Sequence, residues 1–303
     1  MSGAIEIFDR QLVALRRERA ASRLSARGEP RVGAVAPVLA AAAELLLDRL
    51  DDTTRRFSHA LELGGRGVVA PLLRGRGIAS VVSMDLSPAM ARLGGGPALA
   101  GDEEWLPFAP GSFDLIVASL SLHWVNDLPG ALIQLRRCLR PDGLFLASLP
   151  GFGTLEGLRA ALAAAEEEAR GGVSPRVSPF PGLRDLAGLL QRAGFALPVA
   201  DAERLPLRYA SAMGLVADLR AAGETNAVLA RDGRVPPRGM FPQAFARLEL
   251  DMELPLLVMT GWAPHESQQK PARPGSANAR LADALGVPER PAGEWPGGAG
   301  PAG

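Results

Sequence analysis

Cysteine is all but missing from this chain: Cys138 is the single one in 303 residues. That excludes a disulfide framework and a thiolate zinc site, and it points to a reducing compartment. Histidine is scarce too, and His59, His123 and His265 are too scattered to mark a metal centre by their spacing. Net charge is absent, with 33 basic residues against 33 acidic ones, so nothing suggests nucleic acid or an anionic membrane as a partner. No apolar run approaches the ~20 residues that span a bilayer. The stretch "MSGAIEIFDRQLVALRRERAASRL" has no apolar core of signal-peptide type, and it carries Glu6, Asp9 and Glu18, which transit peptides avoid. These absences predict a cytoplasmic protein with no integral membrane segment, able to associate peripherally with a membrane complex.

What is present suits one sizeable core with an appendage, since 47% of residues are apolar and 22% charged. Residues 4–27 carry Ile7, Phe8, Leu12, Leu15 and Leu24 at helical spacing with arginines between them, and a second helix is expected from Val38 to about Arg55. Strands and helices then alternate. "SHALEL", "IASVVSMDL", "PALAGD", "FDLIVASLSL" and "GLFLASLPG" read as strands, with "VVAPLLRG", "SPAMARLG" and "LPGALIQLRRCLR" as the helices between them. Such alternation over short connections predicts an α/β fold with a doubly wound, mostly parallel sheet covered on both faces. Beyond Pro150 a long helix with Thr154 as its N-cap ends at Gly171-Gly172. A proline-rich loop, "SPRVSPFPG", and a helix ending at Gly194 follow, then an extended run from Phe195. Residues 210–248 read as helical with a loop at "RDGRVPPRG", and "ELPLLVMTGW" as the last strand, for seven in all. The expected organisation is N-terminal helices over 1–56, a nucleotide-binding core over 57–150, the rest of the sheet with a helical lid over 151–262, and a Gly/Pro/Ala-rich mobile tail over 263–303.

In open parallel sheets, ligands sit beyond the carboxyl ends of the strands, where strand order reverses. The first strand runs into Glu62-Leu63-Gly64-Gly65-Arg66-Gly67, a glycine turn whose first two glycines touch where a spacer is usual. The second strand ends in Asp85, 23 residues after Glu62 (85 − 62) and near the ~20-residue spacing of an acid that takes ribose hydroxyls. The third ends in Asp102-Glu103, and the fourth in Ser119-Leu120 ahead of Ser121-Leu122-His123-Trp124. Each has a plainer explanation: a tight strand-to-helix turn for the glycines, a helix start for Asp85, solvated loop acids for Asp102 and Glu103, a half-buried pair for His123 and Trp124. The acids fall one per strand end in sheet order, and that favours a site.

The segments "ALELGGRG", "MDLSPAM", "GDEEWLPF", "FDLIVASLSLHWVNDLPGAL" and "LRPDGLFLASLPG" resemble the class I S-adenosylmethionine-dependent methyltransferases. More narrowly, "NDLPGALIQLRRCLRPDG", "GGVSPRVSPF", "LLQRAGF" and "GWAPHESQQKPARPGSA", with Ile7-Phe8-Asp9-Arg10, resemble the assembly-factor-five family of respiratory complex I. The resemblance implies S-adenosyl-L-methionine as cofactor. Glu62, Gly64, Gly65 and Gly67 would line its methionine part, Asp85 would take the ribose, Asp102 the adenine amino group, Leu86 and Glu103 the adenine face, and Ser119 and Leu120 the sulfonium side. It also implies a bearing on complex I, with an iron–sulfur subunit as partner. The departure is the turn, one residue shorter than the family's acidic-Leu-Gly-Cys-Gly-Arg-Gly, which predicts a nucleotide pocket with altered affinity. His123, Trp124 and Asp127 are the candidate catalytic residues, with Asn126 beside them. Residues 174–180 and Trp262 to Gln269 (Arg176, Phe180 and His265 above all) are expected to form the lid.

Three functions follow. One is methyl transfer to a protein or small-molecule acceptor. The second is hydroxylation of an arginine on a complex I iron–sulfur subunit, the activity assigned to the family's mitochondrial members; a facial triad for it could be drawn only from His123, His265 and Asp127. The third is a non-catalytic assembly chaperone. An NAD-linked dehydrogenase is disfavoured, because Gly64-Gly65-x-Gly67 lacks the GxGxxG spacing.

Overall fold

The computed structural model describes residues 6–25, 35–268, 283 and 286–287. Residues up to His265 form one compact unit and Glu266–Gly303 a second, of which only the few residues just given are described. The elements are helices α1 (Arg10–Ser25) and α2 (Val35–Asp51), strand β1 (His59–Leu63), α3 (Val69–Gly75), β2 (Ser80–Asp85), α4 (Pro88–Arg92), β3 (Ala98–Ala100), β4 (Phe113–Ser119), a 3-10 turn (Leu122–Trp124), α5 (Leu128–Cys138), β5 (Leu139–Pro150), α6 (Glu156–Arg170), α7 (Leu183–Arg192), β6 (Ala196–Arg208), α8 (Ala212–Ala222), α9 (Met240–Ala246) and β7 (Asp251–Trp262).

Seven strands lie in the order β3-β2-β1-β4-β5-β7-β6. The first five strands pair in parallel, and β7 runs antiparallel between β5 and β6. The expected doubly wound, mostly parallel sheet is the one observed. Its cause is visible in β4, where every residue is buried. Leu115 and Val117 join Ala60, Val81, Leu144 and Leu146 beneath α2 and α3. Ile116 and Ala118 join Leu61, Leu63, Phe145 and Ala147 beneath α5 and α7. Alternate side chains thus fill opposite layers, as a parallel strand covered on both sides requires. Strand order reverses between β1 and β4, so the crevice at their carboxyl ends, by Leu63 and Ser119, is where a ligand belongs.

Several boundaries differ from the sequence pattern, each for a local reason. Helix α1 begins at Arg10 because Phe8 is drawn into a bridge with Val228. Thr154 does not cap α6: its hydroxyl donates to the Gly151 carbonyl at 2.7 Å, and the residue before the helix is Leu155, left-handed at φ 56°. Pro141-Asp142-Gly143 lies inside β5, whose register slips between Phe113↔Leu139 and Leu115↔Leu144. Residues 223–239, expected to be helical outside one loop, are irregular. Trp262 pairs with Leu144, where the continuous ladder between β4 and β5 begins at the end away from Ser119, and the Ala263 N–H donates to the Gly143 carbonyl. The segment from Trp262 to His265 therefore leaves from the sheet edge opposite the crevice and is no lid. The expected mobile tail lies outside the described residues from 269 onward, apart from three positions.

Candidate functional site

The shortened glycine turn closes by left-handed backbone. Gly64, Arg66 and Gly67 have φ of 64°, 50° and 79°, conformations that glycine adopts freely and arginine does not. Glu62, buried at the end of β1, accepts the Gly65 N–H and staples the turn to its strand. Burial pushes the Glu62 carboxyl up to about 7. Gly67 packs against Leu93, where a Cβ would meet the Leu93 carbonyl oxygen at 3.0 Å. The Arg66 side chain turns inward and uses all five of its N–H donors. Nε donates to Ala222 O at 2.9 Å, Nη1 to Gly64 O and Ser119 O, and Nη2 to Leu120 O and to the Glu224 carboxylate.

The strand-end acids do converge, and helix α1 is what they converge on. Asp85 Oδ2 accepts from Arg17 Nη1 at 2.6 Å, and both side chains are almost wholly buried. One helical face and two turns away, Arg10 Nη2 donates to Asp102 Oδ1 at 2.5 Å and to Glu103, whose side chain is fully buried. Arg10 Nη1 also donates to the Trp124 carbonyl at 3.0 Å. Leu86 packs with Phe8, Val13 and Trp124 beside these pairs. Leu120, left-handed at φ 50°, closes the crevice from β4.

Next to this hollow stands a second buried cluster built on Glu224, just past the end of α8. Its Oε2 lies 2.8 Å from His123 Nε2 and accepts from Trp124 Nε1 at 2.9 Å, while Oε1 accepts from Arg66. The ionised carboxylate can only accept, so His123 donates to it through Nε2, and Nδ1 has no partner among the described residues. Burial acts to raise the Glu224 carboxyl, but His123, Arg66 and Arg17 outweigh it and hold it at about 2. Beyond Glu224 opens a cavity of about 420 Å³, walled by Leu120, Trp124, Phe180, Tyr209, Asp218 and Arg16 among others. Asp218 is buried and its Oδ2 has no partner among the described residues. Burial and Asp218 together push the Tyr209 hydroxyl up to about 12.

Of the residues expected at the site, Glu62, Gly64, Gly65 and Gly67 form the turn at the end of β1, Asp85 ends β2 with Leu86 after it, Asp102 and Glu103 follow β3, Ser119 ends β4 with Leu120 after it, and His123 and Trp124 lie in the 3-10 turn beyond. Asp127 does not join them: it is exposed and caps α5, accepting the Gly130 N–H at 2.9 Å. Asn126 is likewise structural, since its Oδ1 takes the Ile7 and Phe8 N–H groups at 2.8 Å. Arg176 is held by Glu166. His123, His265 and Asp127 form no triad, and among the described residues no three His, Cys, Asp or Glu side chains gather as a metal needs. Arg10, Arg17, Arg66 and Glu224 were not singled out from the sequence. Arg66, inside the glycine turn, and Arg10, in the Ile7-Phe8-Asp9-Arg10 segment, did lie within motifs that could have drawn attention.

With this geometry in hand, comparison with known proteins is decisive. Residues 61–147 match the family described as "Methyltransferase domain". The arginine-hydroxylase NDUFAF5, mitochondrial, of Danio rerio is 37% identical over 250 residues, 78% of this chain and 78% of its own. The chain belongs to the NDUFAF5 family. It is accordingly an enzyme of the class I, S-adenosylmethionine-dependent methyltransferase fold. The malonyl-[acyl-carrier protein] O-methyltransferase of Laribacter hongkongensis is 35% identical over 228 residues, 68% of this chain and 75% of its own. Among solved structures, the YcgJ protein of Bacillus subtilis superposes with a TM-score of 0.51 at 14% identity, over 74% of this chain and 99% of its own, a likeness of fold alone.

Does this NDUFAF5-family hollow suit the cofactor of the fold? Its chemistry does. Glu103 Oε1, Ser121 Oγ and His123 Nδ1 are buried without partners among the described residues, and such atoms are complements for a polar ligand. Its space does not. Arg17 Nη1 would lie 3.1 Å from a Cβ on Gly64, and Asp85 and Asp102, the carboxylates expected to take ribose and adenine, are each paired with an arginine of α1. As packed, the hollow cannot take an adenosine.

Proposed function

We propose that this chain binds S-adenosyl-L-methionine through Asp85, Asp102 and Glu103 and methylates a protein or small-molecule acceptor held in the 420 Å³ cavity. One observation carries the reading: acids from the ends of β2 and β3 share the same helix as their partner, so they face one hollow. Glu62, Gly64, Gly65, Gly67 and Leu86 are the remaining cofactor contacts on this reading, with Ser119 and Leu120 toward the acceptor. Trp124 walls the acceptor, and His123, oriented by Glu224, presents Nδ1 as a base. Within the described residues no helix is long and apolar enough to cross a membrane, which supports work in the cytoplasm, with peripheral association at most. Titration calorimetry with S-adenosylmethionine and S-adenosylhomocysteine tests cofactor use: heat that disappears in Asp85→Asn is expected, and silence at millimolar ligand would sink the reading.

A second reading has its own support. The chain is more than a third identical to proteins named arginine-hydroxylase, and the cavity offers an acid, Asp218, with an unpartnered oxygen among aromatic walls. A guanidinium would satisfy that oxygen and stack on those rings. On this reading the acceptor is an arginine on an iron–sulfur subunit of respiratory complex I, hydroxylated with dioxygen as co-substrate: one oxygen atom enters the side chain and the other leaves as water, at the expense of a two-electron reductant supplied from outside the chain. Mass spectrometry of that subunit, from cells with and without this chain, separates the two. A gain of one methylene supports methyl transfer, a gain of one oxygen atom supports hydroxylation, and no change leaves an assembly chaperone.

A further inference from the structure

The misfit between hollow and cofactor has a mechanical solution in α1. The root of this helix is firmly fixed. Asn126 binds the Ile7 and Phe8 N–H groups and the Phe8 carbonyl, Asp9 N–H donates to Ala227 O at 2.8 Å, and the Asp9 carboxylate pairs with Arg231. Past Arg10 the attachment changes character. The wholly buried apolar side chains of α1 are Val13, Ala20 and Ala21, one valine and two alanines, whereas α2 buries seven such residues, four of them leucines. Leu12 and Leu24 add only partly buried apolar contacts, and the rest of the grip on α1 is charged or polar: Arg10 on Asp102 and Glu103, Arg17 on Asp85, and Glu18 on the Ser87 hydroxyl. The grip is also incomplete, because Arg17 is buried with Nε and Nη2 unpartnered among the described residues. Buried donors without acceptors make the seated position costly for that side chain.

We propose that α1 is a hinged lid whose latches, Arg10 and Arg17, occupy the carboxylates that an adenosine would use, and that it swings about residues 7–9 before the cofactor binds. This inference rests on the cofactor reading above. Two guanidinium groups on one helical face, two turns apart, stand in for ribose and adenine, so lid and nucleoside exclude each other. The apparent affinity of the full chain for any adenosine ligand is then reduced by the fraction of time the lid is open.

The test uses the full chain and S-adenosylhomocysteine as probe. Calorimetry compares the parent with Arg10→Met, Arg17→Met and the double variant, which keep the side-chain stems, and with Arg19→Met on the exposed face of the same helix. The double variant is expected to bind at least about tenfold more tightly than the parent, and Arg19→Met as the parent does. Hydrogen exchange on the parent provides a readout independent of any variant's folding: ligand is expected to deprotect the amides of α1 while residues 7–9 keep theirs. Binding by the parent with α1 protection kept or increased overturns the lid and leaves the cofactor reading standing. An unchanged or weakened affinity in folded latch variants overturns it equally. Absence of binding in every folded protein overturns both, and the hollow is then permanently filled by its own arginines.

Discussion

Arg66 explains how a turn one residue short can still close: it takes a left-handed backbone and repays it with a full set of bonds from its guanidinium. Because two of its acceptors belong to β4's end and two to α8 and Glu224, Arg66→Met should cost about 3–5 kcal/mol in urea unfolding, the penalty for stranding a buried partner. A cost below ~1 kcal/mol would show that the turn closes without it. Glu62 makes a prediction of its own. Its carboxyl is raised from 4.5 to about 7 in the folded chain, so between those pH values the native state holds a proton that the unfolded state has released. Stability contributed by this group must therefore fall as pH rises through that window, by on the order of 3 kcal/mol, and Glu62→Gln should flatten the slope. Glu224 works in the opposite sense. Held at about 2, it contributes stability above pH 4.5 that is lost as pH falls toward 2. Asp85 and Asp102 could be found in the sequence because their position at strand ends is itself a signal. Glu224 could not: it lies 101 residues from His123, after an ordinary helix-ending glycine, and only folding brings the two together.

At the scale of elements, the parallel half of the sheet was legible because its strands are short apolar runs punctuated by glycine and proline, and each fills both layers. The helices above the crevice were less so. Helix α1 has arginines at 10, 16, 17, 19 and 23, spread around the helix, and nothing in the string reveals that Arg10 and Arg17 turn inward while Arg19 and Arg23 turn out. Thr154 failed as a cap because a closer acceptor, Gly151 O, took its hydroxyl. Ser87 succeeded: its Oγ accepts Met90 N–H at 3.0 Å and starts α4 directly behind Asp85. Ser87→Ala should cost about 1 kcal/mol, measured as a shift in the denaturant midpoint. It should also weaken the seat of α1, since Glu18 loses its partner there. The expected lid around Trp262 failed for a topological reason: β7 runs antiparallel, so its carboxyl end emerges on the wrong side of the sheet.

At the scale of the whole molecule, the hollow filled by α1 and the 420 Å³ cavity meet at one wall: Trp124 and Glu224 line the cavity, and Arg66 and His123 bind Glu224 from behind. On the lid proposed above, they also share a moving part. Arg17 sits in the hollow, and the residue before it, Arg16, lines the cavity. On that proposal, any displacement of α1 that frees Asp85 carries Arg16 away from the cavity wall, while Phe8, 5.3 Å from Trp124 between ring centres, stays with the fixed root of the helix. The two ligands are consequently not free to arrive independently. Whatever factor the nucleoside applies to the affinity for the acceptor, the acceptor must apply to the nucleoside, because both draw on one equilibrium of the same helix. Initial-rate measurements with the two varied against each other should give intersecting rather than parallel lines, and each ligand should change the dissociation constant of the other by the same factor.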